Sequence, residues 1–146
     1  MTDSVAQVKL VTNPSEAFVI ERLQGVEGIQ DISAVTEEND PNGQLGKDGG
    51  YTATVYFTSP MVDQSKVFGN SVIEKGTDGG GAIEVYANPS DANKRKDYLA
   101  SFDGSVLSSG SHEVVGTVLV RTSNKLTASQ QDQLESAIIE ALTKLG

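Results

Sequence analysis

The most regular apolar pattern of the chain lies near its C-terminus. Leucine and isoleucine recur at spacings of four, four and three residues, at Leu134, Ile138, Leu142 and Leu145. This spacing places them on one face of a helix over about 128–145. Thr127 and Gln130, just before them, form a capping box, in which each side chain can bond the other residue's backbone N–H. Because a helix with one apolar face has to bury it, the rest of the chain must supply a second layer.

That second layer is predicted to be a sheet. Residues 51–58 (YTATVYFT) alternate, so that Ala53, Val55 and Phe57 share one face and Tyr56 lies on the other. Shorter apolar runs predict further strands over 29–36, 82–87 (AIEVYA) and 114–121 (VVGTVLVR). These segments predict an α+β fold of about four mostly antiparallel strands with helices packed on one face. A ferredoxin-like arrangement is one option.

The sequence Asn-Pro-Ser-acid occurs twice, at 13–16 and 88–91, and predicts two more helix starts. Asn can accept a bond from a free backbone N–H at the cap, and Pro suits the first helical position. Gly25 and Gly28 are expected to end the first helix, and Asp103-Gly104 the second. The repeat is compatible with a duplicated β-α-β design. It is also compatible with one good helix start used twice, which is favoured because nothing beyond the cap matches.

Composition limits the classes of function. The chain has 146 residues, which fits one domain, and we expect a tail or short strand over 1–12 followed by a single domain over 13–146. The net charge of −9 makes nucleic acid and anionic membrane surfaces poor partners. No run approaches the roughly 20 apolar residues of a membrane-spanning helix, so no membrane insertion is expected. The absence of Cys excludes disulfides, thiolate metal sites and cysteine nucleophiles.

A long polar segment, Glu37–Gly50, is the main candidate for a binding loop. Asp40, Asn42 and Gln44 alternate as calcium ligands do in an EF-hand, and Asp48 is a further oxygen donor. However, the positions that need Gly and Glu in that motif hold Leu45 and Tyr51. An irregular calcium site remains one hypothesis. The other is turn chemistry, in which Asp and Asn bond nearby backbone and the glycines allow positive φ.

Motifs for catalysis are few. The chain has a single histidine, His112, in a polar segment or at a strand start, and no Gly-x-Ser-x-Gly sequence. The glycines of Thr77–Gly81 precede a strand, whereas a phosphate loop follows one, so they predict a turn. Because the motifs for nucleophilic catalysis and phosphate binding are missing, we expect a protein that is not an enzyme. The acidic residues leave a carboxylate-pair hydrolase open as an alternative.

The predicted ligand-binding residues are Asp40, Asn42, Tyr51 and Arg121. Arg121 ends an apolar strand, where it is predicted to pair with Glu37, Glu38 or Asp40 and so fix the loop to the sheet. The turn Gly76–Gly81 is predicted to lie beside the loop as part of the same surface. Lys94-Arg95-Lys96, within the second predicted helix, is interpreted as a solvated face.

The order of these motifs resembles one family. Glu38-Asn39-Asp40-Pro41-Asn42, Leu45-Gly46 and Gly49-Gly50-Tyr51-Thr52 resemble a signature of uncharacterised extracytoplasmic modules of Gram-positive bacteria. Further likeness is found at Gly81–Tyr86, Asp91-Ala92, Tyr98-Leu99, Phe102–Gly104, Gly110–His112 and Val120–Ser123. The resemblance implies an extracellular or cell-surface setting, as the soluble part of a lipid-anchored protein, and no catalytic residue. The chain has no Cys to carry an anchor, so a cytoplasmic location is the alternative.

The leading functional hypothesis is thus a non-enzymatic module that binds an envelope component, a protein or a small ligand. A calcium-binding or calcium-stabilised module is the first alternative, and the carboxylate hydrolase is the second.

Overall fold

A computed structural model of the chain describes residues 12–102 and 110–144. Apart from Thr12, the predicted N-terminal tail lies outside this range. So do the predicted helix end at Asp103-Gly104 and the last apolar position of the C-terminal stripe, Leu145.

Five antiparallel strands form one sheet, in the order β1-β2-β3-β5-β4. They are β1 (Ile32–Ala34), β2 (Ala53–Thr58), β3 (Gly80–Val85), β4 (His112–Val115) and β5 (Val118–Thr122). The predicted α+β class and antiparallel sheet are therefore confirmed. This strand order does not confirm the ferredoxin-like arrangement.

The additional strand comes from a hairpin inside the segment predicted as one strand over 114–121. Val115 pairs directly with Val118, so the chain reverses at Gly116-Thr117. Gly116 has φ of 61°, a conformation that Gly adopts without the steric cost that a Cβ brings. A two-residue turn of this kind is hidden in sequence by the apolar residues on both sides of it.

Helices α1 (Glu16–Gln24) and α4 (Ala128–Thr143) cover one face of the sheet. Their buried residues, such as Leu23 and Ile138, pack against the side chains of Phe57 and Ile83 in the central strands. The capping box of α4 is present as predicted. At α1 the cap is Ser15 and not Asn13, because the Ser15 hydroxyl accepts from the Phe18 amide at 3.1 Å and Asn13 has a positive φ.

Helix α3 (Pro89–Ala100) and the short helix α2 (Val72–Lys75) lie on the opposite face. The structure differs here from the prediction of helices on one face. Leu119 alternates with the core residues of β5 and packs instead against Ala92 and Leu99 of α3. Helix α3 thus buries the second face of the central strands, which carries Leu119 together with the charged side chains of Glu84 and Arg121. Within the described residues, no helix combines the length and apolarity needed to cross a bilayer.

Candidate functional site

A buried ionic cluster lies beneath α3, on the second face of the sheet. Glu84 of β3 is only 1% exposed. Its Oε2 accepts from Arg121 Nη1 at 3.0 Å, and its Oε1 accepts from Arg95 Nε at 3.1 Å. The Tyr86 hydroxyl donates to the same Oε1 at 2.6 Å. One carboxylate therefore compensates two guanidinium groups, which leaves the cluster with an excess of positive charge.

Burial and the Glu84 charge determine how this cluster ionises. Burial alone would lower the pKa of Arg95, but the adjacent Glu84 carboxylate outweighs it and raises that pKa. Burial, and then Glu84, raise the pKa of Tyr86. Arg95 therefore remains a cation and Tyr86 a neutral hydroxyl over the whole physiological range.

The position of Arg121 differs from the prediction. Its partner is Glu84, and not Glu37, Glu38 or Asp40. The reason is the strand register. Arg121 of β5 is opposite Ala82 of β3, so its side chain lies on the same face of the sheet as Glu84, which is its diagonal neighbour on β3. Arg121 is 8% exposed, and its Nε has no hydrogen-bond partner among the described residues.

The carboxylate of Asp40 accepts four hydrogen bonds in and beneath loop 37–50, alongside backbone bonds within the loop. Asp40 Oδ2 accepts from the amides of Gln44 at 2.7 Å and Leu45 at 2.9 Å. Its Oδ1 accepts from the Asn42 amide at 2.9 Å and from the Tyr51 hydroxyl. Burial alone would raise the pKa of Asp40, but the bond from Tyr51 and the three amide bonds together lower it.

The tyrosines beneath the loop are tied into the same network. Asn42 Nδ2 lies 3.2 Å from the Tyr51 hydroxyl and 3.4 Å from that of Tyr56. Burial, and then the bond to Asp40, raise the pKa of Tyr51. The rings of Tyr51 and Tyr86 meet edge to face at 6.2 Å between centroids, which joins the loop network to the Glu84 cluster.

The hydrogen bonds of loop 37–50 use the carboxylate oxygens of Asp40, one of the predicted calcium ligands. An ionised carboxylate offers about four acceptor positions, and loop amides and Tyr51 occupy those of Asp40. In the described parts of the chain, no group of three or more His, Cys, Asp or Glu side chains is arranged to hold a metal ion. The calcium site over Asp40, Asn42, Gln44 and Asp48 stays a prediction, and the turn chemistry proposed as its alternative is what the loop displays.

A cleft of about 380 Å³ separates loop 37–50 from α3. We call it the loop–α3 cleft. It is lined on the loop side by Asn42, Gln44 and the backbone at Gly49-Gly50, at its base by Tyr51 and Tyr86, and on the helix side by Asp91, Lys94, Arg95 and Tyr98.

Several groups in this cleft are available to a ligand. The side chains of Gln44 and Lys94 bond no other described residue. Tyr98 is 56% exposed, and the Arg95 guanidinium carbon lies 5.6 Å from its ring centroid. The hydroxyls of Tyr51 and Tyr86, by contrast, are bonded to Asp40 and Glu84. These two side chains therefore present only ring surface to the cleft.

Asn42 and Tyr51, two of the predicted ligand-binding residues, line this cleft, whereas Asp40 and Arg121 do not. The sequence interpretation missed Tyr86 and the α3 residues. Positions 91, 94, 95 and 98 share one helical face, and that spacing was the available signal. Treating Lys94-Arg95-Lys96 as a solvated face was wrong for Arg95, which is directed inward to Glu84.

The turn Gly76–Gly81 does not belong to this surface. Thr58 pairs with Gly80 and Ala53 with Val85, so the turn and the end of loop 37–50 adjoin opposite ends of strands β2 and β3. Gly79, Gly80 and Gly81 are also buried. The prediction of one shared surface was therefore wrong.

Two further features are relevant to the hydrolase hypothesis: the neighbouring carboxylates Glu113 and Glu135, and the histidine His112. Burial, and then the nearby Glu113, raise the pKa of Glu135, while the bond from Lys96 lowers the pKa of Glu113. These two carboxylates line neither the loop–α3 cleft nor the larger cleft of about 670 Å³ between α1 and α4. His112 begins β4, with Nδ1 3.1 Å from the Gly110 carbonyl oxygen. Neither feature adds support to the hydrolase hypothesis.

Comparison with protein-family models, curated proteins and solved structures gives no match for this chain. The resemblance to extracytoplasmic modules therefore remains a prediction that rests on the motifs themselves.

Proposed function

We propose that the protein is a non-enzymatic binding module of the cell surface and that it binds its ligand in the loop–α3 cleft. The observation that carries this proposal is that the polar and aromatic walls of the cleft are fixed from behind. Asp40 holds the loop wall, and Glu84 holds Arg95 on the helix wall.

Fixed walls favour binding because little side-chain entropy is lost when the ligand arrives. Arg95 is bonded through Nε and lies over the Tyr98 ring, so its guanidinium plane is already oriented. Tyr51 is held by its hydroxyl as well as by ring contacts. A small cleft with a few oriented polar groups is the usual form of a ligand site.

The same bonds argue against acid–base catalysis in this cleft. A general acid or base works best when its pKa lies near the operating pH. Here the pKa of Asp40 is lowered and those of Tyr51 and Tyr86 are raised, so each moves away from neutrality. These groups serve to position the walls of the cleft.

The surface location is supported by the resemblance of residues 38–52 to extracytoplasmic modules. That setting makes an envelope component the first class of ligand to test. A cytoplasmic protein would present the same cleft to a different ligand.

The test is an NMR titration of ¹⁵N-labelled protein with soluble fragments released by a muramidase from Gram-positive cell wall. We expect amide shifts concentrated at 42–50 and 91–98. The variant Tyr98→Ser should weaken binding, because it removes the exposed ring of the cleft. Phe68→Ser is the matched control, since Phe68 is 91% exposed and lies outside the cleft.

Two results would contradict the proposal. One is a set of shifts confined to another surface, such as the cleft between α1 and α4. The other is equal weakening by the Tyr98 and Phe68 variants.

A further inference from the structure

We propose that the ligand of the loop–α3 cleft carries a carboxylate, which pairs with Arg95 and Lys94, on a small body that packs against Tyr98. This inference rests on the proposed function and names the class of ligand for the same site.

The charge balance of the cleft is opposite to that of the protein. The chain has 20 acidic and 11 basic residues, yet the side chains that line this cleft include two bases, Lys94 and Arg95, and one acid, Asp91. The Asp91 carboxylate accepts from Asn88 Nδ2 at 3.2 Å. Behind the cleft, Glu84 is shared between Arg95 and Arg121. Among the charged side chains that line the cleft, an entering anionic group therefore meets two cations and one anion.

Arg95 has the geometry for carboxylate recognition. Its Nε is bonded to Glu84, and its side chain retains 20% exposure. No other hydrogen bond from this guanidinium is found among residues 12–102 and 110–144, so the two terminal nitrogens remain as donors. A pair of parallel N–H donors matches the two oxygens of a carboxylate, and Lys94 adds a point charge beside it.

The rest of the cleft indicates the body of the ligand. Tyr98 offers an exposed ring, while Tyr51 and Tyr86 offer ring surface at the base because their hydroxyls bond Asp40 and Glu84. The Gln44 amide can bond a hydroxyl or amide of the ligand. A volume of about 380 Å³ suits a body of one ring or one short chain.

A carboxylate of this size can come from a sugar acid or from an acidic amino acid. Separate titrations with D-glucuronate and with N-acetylglutamate amide distinguish these sources. The matched neutral probes are glucose for glucuronate and N-acetylglutamine amide for N-acetylglutamate amide. Each has a neutral group, a hydroxymethyl or an amide, in place of the carboxylate of its partner. Amide shifts and dissociation constants are measured by NMR on the full chain.

The decisive variants are Lys94→Gln and Lys96→Gln, which remove the same charge from adjacent positions of α3. Lys94 lines the cleft, whereas Lys96 bonds Glu113 at 2.7 Å outside it. For a carboxylate probe we expect Lys94→Gln to raise the Kd about fivefold or more, and Lys96→Gln less than about twofold. Arg95→Lys should raise it further, since it keeps a charge but loses the paired donors.

Binding of a carboxylate probe with this order of variants supports the inference. Equal binding of the neutral probes, or equal effects of Lys94→Gln and Lys96→Gln, overturns it. If cell-wall fragments shift the cleft while no carboxylate probe does, the ligand class is wrong but the binding function stands. If neither kind of probe shifts the cleft, both proposals fall.

Discussion

Glu84 and Arg121 form a buried ion pair across strands β3 and β5, with 3.0 Å between Oε2 and Nη1. They are diagonal neighbours, since Glu84 is opposite Leu119 in the register. A pair of this kind adds little net stability compared with apolar residues of the same size, but removing one member leaves an uncompensated buried charge. The position of Glu84 between Arg121 and Arg95 makes it the member whose loss matters most.

Replacement of Glu84 by Gln should therefore destabilise the protein strongly. We expect a loss of about 3 kcal/mol or more in the free energy of unfolding, measured with urea. Glu113→Gln is the matched control, because its bond to Lys96 lies on the surface and should contribute less than about 1 kcal/mol. Similar losses in the two variants would show that the Glu84 cluster is not the buried unit described above.

Asp40→Asn should destabilise the protein in a pH-dependent way. The pKa of Asp40 is lower in the folded protein than its ordinary value of 3.8, so its ionised form favours folding. This contribution is complete above the unfolded pKa and is lost as the pH falls through the lower folded value. We expect a deficit of about 1–2 kcal/mol at neutral pH that shrinks as the pH falls below the ordinary value of 3.8.

The control for this prediction is Asp48→Asn, since Asp48 is an exposed acid of the same loop. Urea unfolding at neutral pH and at a pH below 3.8 should show little difference between that variant and the parent chain. A deficit for Asp40→Asn that stays constant with pH would mean that its ionised form is not what holds the loop.

Gly81→Ala should disrupt the centre of the sheet. A Cβ at this position would lie 2.2 Å from the Arg121 carbonyl oxygen and 2.5 Å from Phe57 Cζ. Overpacking of this kind typically costs about 1–3 kcal/mol, and the backbone contact places this site at the upper end. Thermal unfolding is the measurement.

Gly43→Ala provides the comparison. Its φ is 65°, and a Cβ there would have no atom within 4 Å, so only backbone strain of about 1 kcal/mol is expected. If Gly43→Ala were the more damaging of the two, the close approach of β3 to its neighbours would be incorrect.

Arg22→Met should loosen the C-terminal turn of α4. Arg22 Nη1 donates to the carbonyl oxygens of Ala141 at 3.2 Å and Lys144 at 2.6 Å, which α4 itself cannot satisfy. We expect a loss of about 1–2 kcal/mol and faster hydrogen exchange at the end of α4. Lys125→Met, at an exposed lysine, should leave the exchange unchanged, and equal exchange in both variants would contradict the role of Arg22.

The elements that the sequence predicted best are those whose signals are local. The capping box at Thr127 and the alternation of residues 53–57 depend on spacing within a few residues, and both were confirmed. The turn at Gly116 was missed because its flanking valines continue the apolar run. The cap at Ser15 was misplaced by two residues because the adjacent Asn13 has an equally suitable side chain.

The candidate site was harder to predict because it depends on contacts between distant residues. Glu84 alternates with Ile83 and Val85, which is the pattern of a strand with one wet face. Only the packing of α3 over that face makes Glu84 a buried anion and draws Arg95 and Arg121 to it. The spacing in the sequence places Arg95 on one face of α3, but it does not tell which strands α3 covers.

The way Asp40 organises loop 37–50 has a consequence for how the protein can diversify. The loop's course is set by its own amides and by Tyr51, and the side chains of Gln44, Lys47 and Asp48 take no part in those bonds. Of these three, Gln44 lines the loop–α3 cleft, so a substitution there can alter what the cleft recognises while the backbone keeps its path. Recognition and architecture are thus encoded by separate residues within one short segment.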